Sequence, residues 1–139
     1  MNANVKMALA VIAGIVIGGF VNYGLIVISP MIIPGPEGVD ITDPEILKEN
    51  IHLFKPKNFI FPFLAHALGT LVGAFAAAKI AGVNQLRVGL IVGAVFLMAG
   101  IMMITSVLGP MWFNVLDLVV AYIPMGWLGA QLAGNKNSI

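Results

Sequence analysis

The sequence predicts an all-α integral membrane protein, a four-helix transmembrane bundle, and three observations support this fold class. Hydrophobic residues make up 60% of the 139 residues and charged residues only 9%. A soluble domain is about 45–50% apolar and about 25% charged, and so few charges cannot cover the surface of a small domain. Four apolar runs each reach about 20 residues, the length that crosses a hydrocarbon core. Cysteine is absent, which excludes a disulfide scaffold, a thiolate nucleophile and Cys-ligated zinc.

The four predicted helices form one membrane domain over residues 1–139, at about 5–28, 61–81, 88–108 and 112–133. The first apolar run is longer than the roughly 7–15 residues of a signal-peptide core, and no small-residue cleavage site follows it. We therefore expect it to be retained as a span. The connections at 82–87 and 109–111 are short, which makes the helices that they join antiparallel.

The long connection, about 29–60, is predicted to contain a short helix. Prolines lack an amide hydrogen, so we expect the first helix to end at three of them: Pro30, Pro34 and Pro36. Thr42 or Asp43 can cap a helix that begins at Pro44. Its apolar face consists of Ile46, Leu47, Ile51 and Phe54. This pattern is typical of an amphipathic helix in the membrane interface, and equally of a short helix that caps the bundle.

Aromatic residues cluster where the long connection meets the second and fourth helices: Phe54, Phe59, Phe61, Phe63, Trp112 and Phe113. Aromatic side chains are enriched at membrane–water interfaces. Lys55 and Lys57 can extend their ammonium groups into water from the same level. We interpret this region as a membrane anchor, which is a structural role.

The distribution of basic residues favours one orientation. With four spans, both termini lie on the same side as the 82–87 connection, and that side carries Lys6, Lys79, Arg87 and Lys136. The other side carries Lys48, Lys55 and Lys57. Because the side richer in Lys and Arg stays in the cytoplasm, we expect cytoplasmic termini and a periplasmic long connection.

Small residues recur at four-residue spacing and are predicted to hold the helices together. The helix-packing candidates are Gly14, Gly18, Ala65, Gly69, Gly73, Ala77, Gly89 and Gly93. In lipid, close backbone approach supplies the van der Waals contact that holds helices in place. The contact can lie within the chain or between copies in a homo-oligomer. Pro124 leaves the carbonyl of Val120 without an amide partner, so we expect a kink in the fourth helix.

Polar residues within three spans lie at a similar depth. Counting residues at 1.5 Å each places Asn22, His66 and Asp117 roughly 7–10 Å inside the same boundary. We predict a polar cluster that also includes Thr70 and Asn114. An Asp–His pair can carry a proton, hold a cation or bind a polar ligand. Alternatively, Asp117 pairs with His66 only to fix the helix register, with no ligand.

Several function classes are disfavoured by the composition. The net charge is +1 and no basic stripe is present, so we expect no nucleic-acid partner. Two histidines, one intramembrane acid and no cysteine make a poor set of metal ligands. Phosphate-binding, dinucleotide-binding and hydrolase motifs are absent from the sequence. We therefore expect no metal, no cofactor and no enzymatic activity.

Three stretches, PEGVDITDPE, FIFPFLAHALGTLVGAFAA and FNVLDLVVAYIPMGWLG, resemble small four-helix proteins of bacterial inner membranes. The resemblance implies such a membrane setting and carries no activity with it. Two functions remain open. The first is a pocket, open to the outer side, that binds or transports a small solute, an ion or a lipid head group. The second is a non-catalytic accessory subunit of a larger membrane complex. The expected partners are the lipid bilayer and either further copies of the chain or that complex.

Overall fold

The computed structural model describes residues 1–134, and that range is helical without strands. Six α-helices follow one another: α1 Ala3–Ile32, α2 Pro44–Asn50, α3 Ile60–Ala81, α4 Gln85–Val107, α5 Met111–Val120 and α6 Ile123–Gly134. Short 3-10 turns occupy Ile51–Leu53 and Pro56–Phe59. Four helical stretches are long and apolar enough to cross a membrane: Ala3–Ile32, Pro56–Ala81, Gln85–Val107 and Met111–Gly134. The prediction of an all-helical chain with four apolar spans is confirmed.

The first helix is longer than the sequence predicts. Pro30 lies inside α1, so the prediction that it ends the helix is wrong. A proline this close to the helix end removes only one backbone hydrogen bond, and the Ile33 amide still donates to the Ser29 carbonyl at 2.9 Å. The helix ends where Ile33 becomes extended (φ −123°, ψ 92°), because the residue before Pro34 is disfavoured in the helical region.

The boundaries around α4 also differ from the prediction by a few residues. The helix begins at Gln85 rather than near residue 88, directly after Asn84, which has left-handed backbone angles (φ 49°, ψ 39°). It ends at Val107, and Leu108 is left-handed too (φ 55°, ψ 50°). Left-handed residues cannot continue a right-handed helix, so both ends are sharp.

The fourth span is interrupted rather than smoothly kinked. Its two halves, α5 and α6, are separated by a turn at Ala121 and Tyr122. Pro124 has no amide to donate to the Val120 carbonyl, whereas the Ala121 and Gly126 amides keep their bonds to the Asp117 and Tyr122 carbonyls. The turn therefore lies two to three residues before the proline, and it directs the side chain of Tyr122 towards α5.

Two seams of glycine bring the spans into backbone contact. In the α1–α3 seam, a Cβ at Gly73 would lie 2.6 Å from the carbonyl oxygen of Gly14 and 3.2 Å from Cα of Gly18. In the α4–α6 seam, a Cβ at Gly89 would lie 2.6 Å from the Gly126 carbonyl oxygen. The remaining small residues of the predicted stripes lie in the same contacts or are fully buried beside them: Ala65, Gly69, Ala77 and Gly93. These small residues pack against other helices of the same chain.

The long connection folds over one end of the bundle. Asp43 caps α2 by accepting hydrogen bonds from the amides of Glu45 and Ile46, at 2.9 and 3.2 Å. The helix contacts α4, and the side chain of Asn58 donates to the Pro34 carbonyl at 3.1 Å, which joins the two ends of the connection. Lys136, which enters the count of basic residues, lies outside the described residues.

The aromatic cluster is partly internal, unlike the predicted membrane anchor. Phe59 and Phe113 are buried, with ring centroids 4.7 Å apart. Trp112 is half exposed and meets Phe59 edge to face at 5.5 Å. Phe59 and Phe113 therefore pack the start of α3 against the start of α5, while half of Trp112 stays exposed and can still serve as an anchor.

Candidate functional site

The intramembrane acid and the intramembrane histidine meet directly. Nδ1 of His66 lies 2.8 Å from Oδ1 and 3.0 Å from Oδ2 of Asp117. Asp117 is 2% exposed, whereas the His66 side chain is 19% exposed. When Asp117 is ionised, its carboxylate only accepts hydrogen bonds, and Nδ1 of His66 is then the donor. The pair joins α3 to α5, as the similar depth of the two residues in the sequence suggested.

Tyr122 completes the environment of the carboxylate. Its hydroxyl donates to Oδ2 of Asp117 at 2.8 Å, and both side chains are buried. The turn between α5 and α6 makes this bond possible, because it brings a residue five positions away back to the acid. The ring of Tyr122 also stacks over that of His66, with centroids 5.9 Å apart. Two donors, Nδ1–H of His66 and the Tyr122 hydroxyl, compensate the loss of water around the buried carboxylate.

A glycine on the facing helix makes room for that tyrosine. A Cβ at Gly100 would lie 2.5 Å from Oη and 2.6 Å from Cζ of Tyr122. The sequence analysis missed Gly100, since the small-residue stripe of the third span was followed only through Gly89 and Gly93. Its one available signal is a glycine in an otherwise bulky helical run, which indicates close approach of a neighbouring group.

A cavity of about 270 Å³ lies directly above the His66–Asp117 pair. Asn22, His66 and Asp117 form one end of it, which we call the polar floor. The walls are largely apolar and come from α1, α4 and the aromatic cluster, including Ile26, Ile104, Val107 and Phe113. The long connection forms the cover through Ile41, Leu47, Ile51 and Phe54. Pockets for small organic ligands are usually about 300–1,000 Å³, so this cavity lies near the small end of that range.

Asn22 contributes an unsatisfied polar atom to the floor. Its Oδ1 is buried and has no hydrogen-bond partner among residues 1–134. Asn22 lies beside Gly69, where a Cβ would be only 3.0 Å from the Asn22 Cβ. A buried polar atom without a partner is rare and calls for a specific explanation, such as a bound water or ligand.

The other two members of the predicted cluster have different roles. Thr70 is fully buried, outside the cavity lining, and its hydroxyl donates to the His66 carbonyl one turn back at 2.7 Å. The hydrogen bond of its hydroxyl is therefore made within α3, and Thr70 is not part of the polar floor. Asn114 does line the cavity, but its amide donates to the Gly109 carbonyl at 3.0 Å and so fixes the start of α5.

The site offers few ligands for a metal ion. Among residues 1–134, no three His, Asp or Glu side chains converge. The Asp117–His66 pair offers one free ring nitrogen, because the carboxylate is already engaged by His66 and Tyr122. The arrangement is better suited to holding a proton or to hydrogen bonding with a ligand than to coordinating a metal.

The sequence left open whether the short helix lies in the membrane interface or caps the bundle, and the contact of α2 with α4 corresponds to the second alternative. It did not predict that the rest of the connection folds over a cavity. The apolar face of α2 is visible in the sequence, but the contact that folds the connection back, from Asn58 to Pro34, spans 24 residues and leaves no local pattern. Comparisons with protein families, with curated proteins and with solved structures gave no match. Function is therefore argued from the site alone.

Proposed function

We propose that the chain is an integral protein of a bacterial inner membrane, with both termini in the cytoplasm and the long connection in the periplasm. Large apolar side chains are exposed on the outer faces of the spans, among them Phe20, Met102 and Val119, and lipid chains would cover them. The orientation rests on the basic residues, four against three in the whole sequence. In this orientation, the long connection between α1 and α3 covers the periplasmic end of the bundle.

The absence of cysteine allows a direct test of this topology. A single cysteine in place of Glu37 reports on the long connection, and one in place of Val83 reports on the connection between α3 and α4; both positions are exposed. In intact cells, a membrane-impermeant maleimide should label the Glu37→Cys variant at once. It should label Val83→Cys only after permeabilisation. The reverse pattern would invert the orientation.

We propose further that the protein is a small ligand-binding membrane protein whose site is the cavity above the polar floor. The observation that carries this proposal is the polar end of the cavity, where the partly exposed ring of His66 lies beside Asn22, a residue whose buried Oδ1 has no hydrogen-bond partner among residues 1–134. A floor built only to fix the helix register would contain paired groups, as Asp117 and Tyr122 are. An Asn side chain without a hydrogen-bond partner beside a partly exposed imidazole supports a site that is completed by a bound molecule.

Binding is better supported than conduction through a pore. The half of the bundle beyond the floor holds a close-packed apolar cluster of buried residues: Ala10, Ala74, Ala77, Ala81, Val88 and Val92. Water does not enter such packing, so the described part of the chain encloses a pocket with one accessible side. Transport by this protein would require a second conformation in which this cluster separates.

Mass spectrometry of the extracted contents tests the binding proposal. Protein purified from its own membrane should retain a small molecule in stoichiometric amount. The Asn22→Leu variant, which removes the side-chain amide and fills the floor, should lose it. Val119→Leu, on an exposed face of α5, is the matched control and should keep it. An equal content in all three proteins, or none in the wild type, would contradict the proposal and favour the accessory-subunit function.

A further inference from the structure

Two nitrogen atoms of the polar floor are accessible and free of hydrogen bonds. Within residues 1–134, the side-chain nitrogen Nδ2 of Asn22 bonds to no group and, unlike Oδ1 of the same residue, it is not fully buried. His66 uses Nδ1 for its contact with Asp117 and leaves Nε2 without a partner in that range, on a side chain that is 19% exposed. Both residues line the cavity, so a ligand can reach an amide donor and an imidazole nitrogen.

A hydroxyl group can bind both nitrogens whatever the protonation state of the His66–Asp117 pair. If the two side chains hold one hydrogen between them, it lies on Nδ1 and Nε2 is an acceptor. If they hold two, Nε2 carries one of them and is a donor. Because a hydroxyl both donates and accepts, it pairs with Nε2 in either state, and its oxygen can also accept from Asn22 Nδ2. An ammonium group has no acceptor for that amide.

The charges around the cavity favour a neutral head group. Asp117 is the single acid and no Lys or Arg is present among the described residues that line the cavity. With one hydrogen, the His66–Asp117 pair carries one negative charge, and with two hydrogens it has no net charge. An anion therefore meets no net positive charge in either state, and a cation meets a negative charge in only one of them. Moving an ion from water into an apolar cavity without a counter-charge is costly.

The walls of the cavity require an apolar body behind the hydroxyl. Above the floor they consist mainly of aliphatic and aromatic side chains such as Ile26, Ile104 and Phe113. Burial of apolar surface is favourable in proportion to the area removed from water, and a short alcohol would leave most of these walls without a partner. A cavity of about 270 Å³ holds a head group and only part of a long chain.

The cavity is partly open, and two of its lining residues lie on the outer surface of the spans. Tyr23 on α1 and Met103 on α4 are 61% and 43% exposed. Further from the cover, the same two helices are in close contact, since a Cβ at Gly18 would lie 2.9 Å from the ring of Phe96. An alkyl chain can therefore leave the cavity beside Tyr23 and Met103 and continue into the hydrocarbon of the bilayer.

We propose that the ligand is a neutral amphiphile whose head group is a hydroxyl and that it enters from the bilayer between α1 and α4. The hydroxyl oxygen accepts a hydrogen bond from Asn22 Nδ2, and the same group pairs with His66 Nε2. The alkyl chain follows the apolar wall past Met103. This inference rests on the proposed ligand-binding function of the same cavity. The hydroxyl can belong to a free long-chain alcohol or to a diacylglycerol, since both present the same group.

Methionine methyl groups provide the reporter for a test in phosphatidylcholine nanodiscs. Met103 lines the cavity, whereas its neighbour Met102 is 68% exposed and lies outside the lining. With 13C-methyl labelling, dodecanol should shift the Met103 signal saturably and cause no saturable shift of Met102. Dodecane, dodecylamine and dodecanesulfonate should each bind at least about tenfold more weakly, because the first lacks a polar head group and the other two are charged.

The His66→Asn variant separates the two nitrogens of the imidazole. The Asn amide nitrogen occupies the position of Nδ1 and can still donate to Asp117, but nothing replaces Nε2. The variant should stay folded and bind dodecanol about tenfold more weakly. Val119→Leu, on an exposed face of α5, is the control and should bind dodecanol as the wild type does.

Diacylglycerol added to the nanodiscs distinguishes the two sources of the hydroxyl. If the cavity takes the lipid, diacylglycerol should occupy it and abolish the dodecanol shift of Met103. If the cavity takes a free alcohol, the shift should persist. Both results retain the hydroxyl specificity and identify which molecule supplies the group.

Three results would overturn the inference. If dodecane or a charged probe binds as tightly as dodecanol, the hydroxyl specificity is wrong and the cavity remains a ligand site. If dodecanol shifts Met102 and Met103 alike, or shifts neither, no hydroxyl ligand occupies the cavity. If His66→Asn binds dodecanol as tightly as the wild type, the polar floor does not hold the head group. The proposed binding function is judged separately, by the molecule extracted from the wild type and lost from Asn22→Leu.

Discussion

Nδ1 of His66 and Oδ1 of Asp117 lie 2.8 Å apart although the two residues are separated by 51 positions in the chain. This contact joins the second span to the fourth at the bottom of a cavity. Asp117 is satisfied by His66 and by Tyr122, and so the pair has a clear structural role. The proposed binding role depends on what the pair leaves free, which is the second ring nitrogen of His66 beside Asn22.

Removal of either partner of the pair should destabilise the fold. His66→Ala leaves the buried carboxylate with Tyr122 as its donor, and such a loss typically costs about 3–5 kcal/mol. His66→Asn retains a donor at the position of Nδ1 and should cost less. Unfolding in SDS, followed by circular dichroism, measures each free energy of unfolding.

The combination of His66→Ala with Asp117→Asn tests whether the two residues interact. Contacting residues usually show a coupling energy of roughly 0.5–3 kcal/mol. The double variant should therefore lose less stability than the sum of the two single losses. Strict additivity would mean that the contact contributes no free energy, and it would remove the structural role of the pair.

The Tyr122 hydroxyl should contribute measurably to stability. Tyr122→Phe keeps the ring that packs against Gly100 and removes the 2.8 Å bond to Asp117. A hydrogen bond to a charged group is worth about 1.5–3 kcal/mol, so a loss of this order is expected in the same SDS titration. Tyr23→Phe removes an exposed hydroxyl and serves as the control. If both variants lose the same free energy of unfolding, the buried hydrogen bond contributes no more to stability than the exposed hydroxyl does.

Gly73 in the α1–α3 seam should tolerate no larger residue. A Cβ at Gly73 would lie 2.6 Å from the backbone oxygen of Gly14, which cannot move without separating the helices. Gly73→Ala should therefore lower the free energy of unfolding by about 1–3 kcal/mol. At Gly24 on α1, nothing lies within 4 Å of a Cβ. Gly24→Ala should be neutral or slightly stabilising; a similar loss at both sites would disprove the seam.

Protonation of Asp40, which lies in the long connection, should make the stability of the turn at Asp40 and Thr42 depend on pH in acid. The Thr42 hydroxyl and then the Thr42 amide donate to Asp40, at 2.6 and 2.9 Å, and these bonds hold the pKa of Asp40 below its ordinary value. Because the folded-state pKa is the lower one, the turn is fully stabilised above the ordinary pKa of about 3.9. That stability is lost as the pH falls through the folded-state pKa.

The chemical shift of the Thr42 amide, followed by NMR from about pH 5 downwards, measures this titration. It should change with a midpoint below about 3.9. Thr42→Val keeps the amide bond and removes the hydroxyl, so the Asp40 midpoint should rise. A midpoint that Thr42→Val leaves unchanged would show that the hydroxyl bond does not act on Asp40.

The sequence predicts the four apolar helices and the shared level of three polar residues along them, because both depend on local quantities. Hydropathy over about 20 residues locates a span, and counting residues along a helix gives depth. Asn22, His66 and Asp117 were expected together on that basis, and the structure places all three around one cavity. Rotation about each helix axis is harder to derive, and Thr70 therefore entered the predicted cluster although its hydroxyl bonds to its own helix.

Other features depend on contacts between distant segments. Pro124 marks where the fourth span is irregular, but nothing near it indicates that Tyr122 turns back to Asp117 or that Gly100 on another helix makes room for it. The fold of the long connection over the cavity depends likewise on the bond from Asn58 to Pro34. Pro30 was expected to end α1 because proline usually does so, whereas one missing hydrogen bond near a helix end is tolerated.

The most direct test of the central claim is an experimental structure in lipid nanodiscs, examined between Asn22 and His66. The account predicts density for a bound molecule in the cavity, within about 2.7–3.2 Å of the Asn22 side-chain amide or of His66 Nε2. A collapsed cavity in which Asn22 bonds to a neighbouring protein group would contradict it. The polar floor would then be a purely structural link between helices.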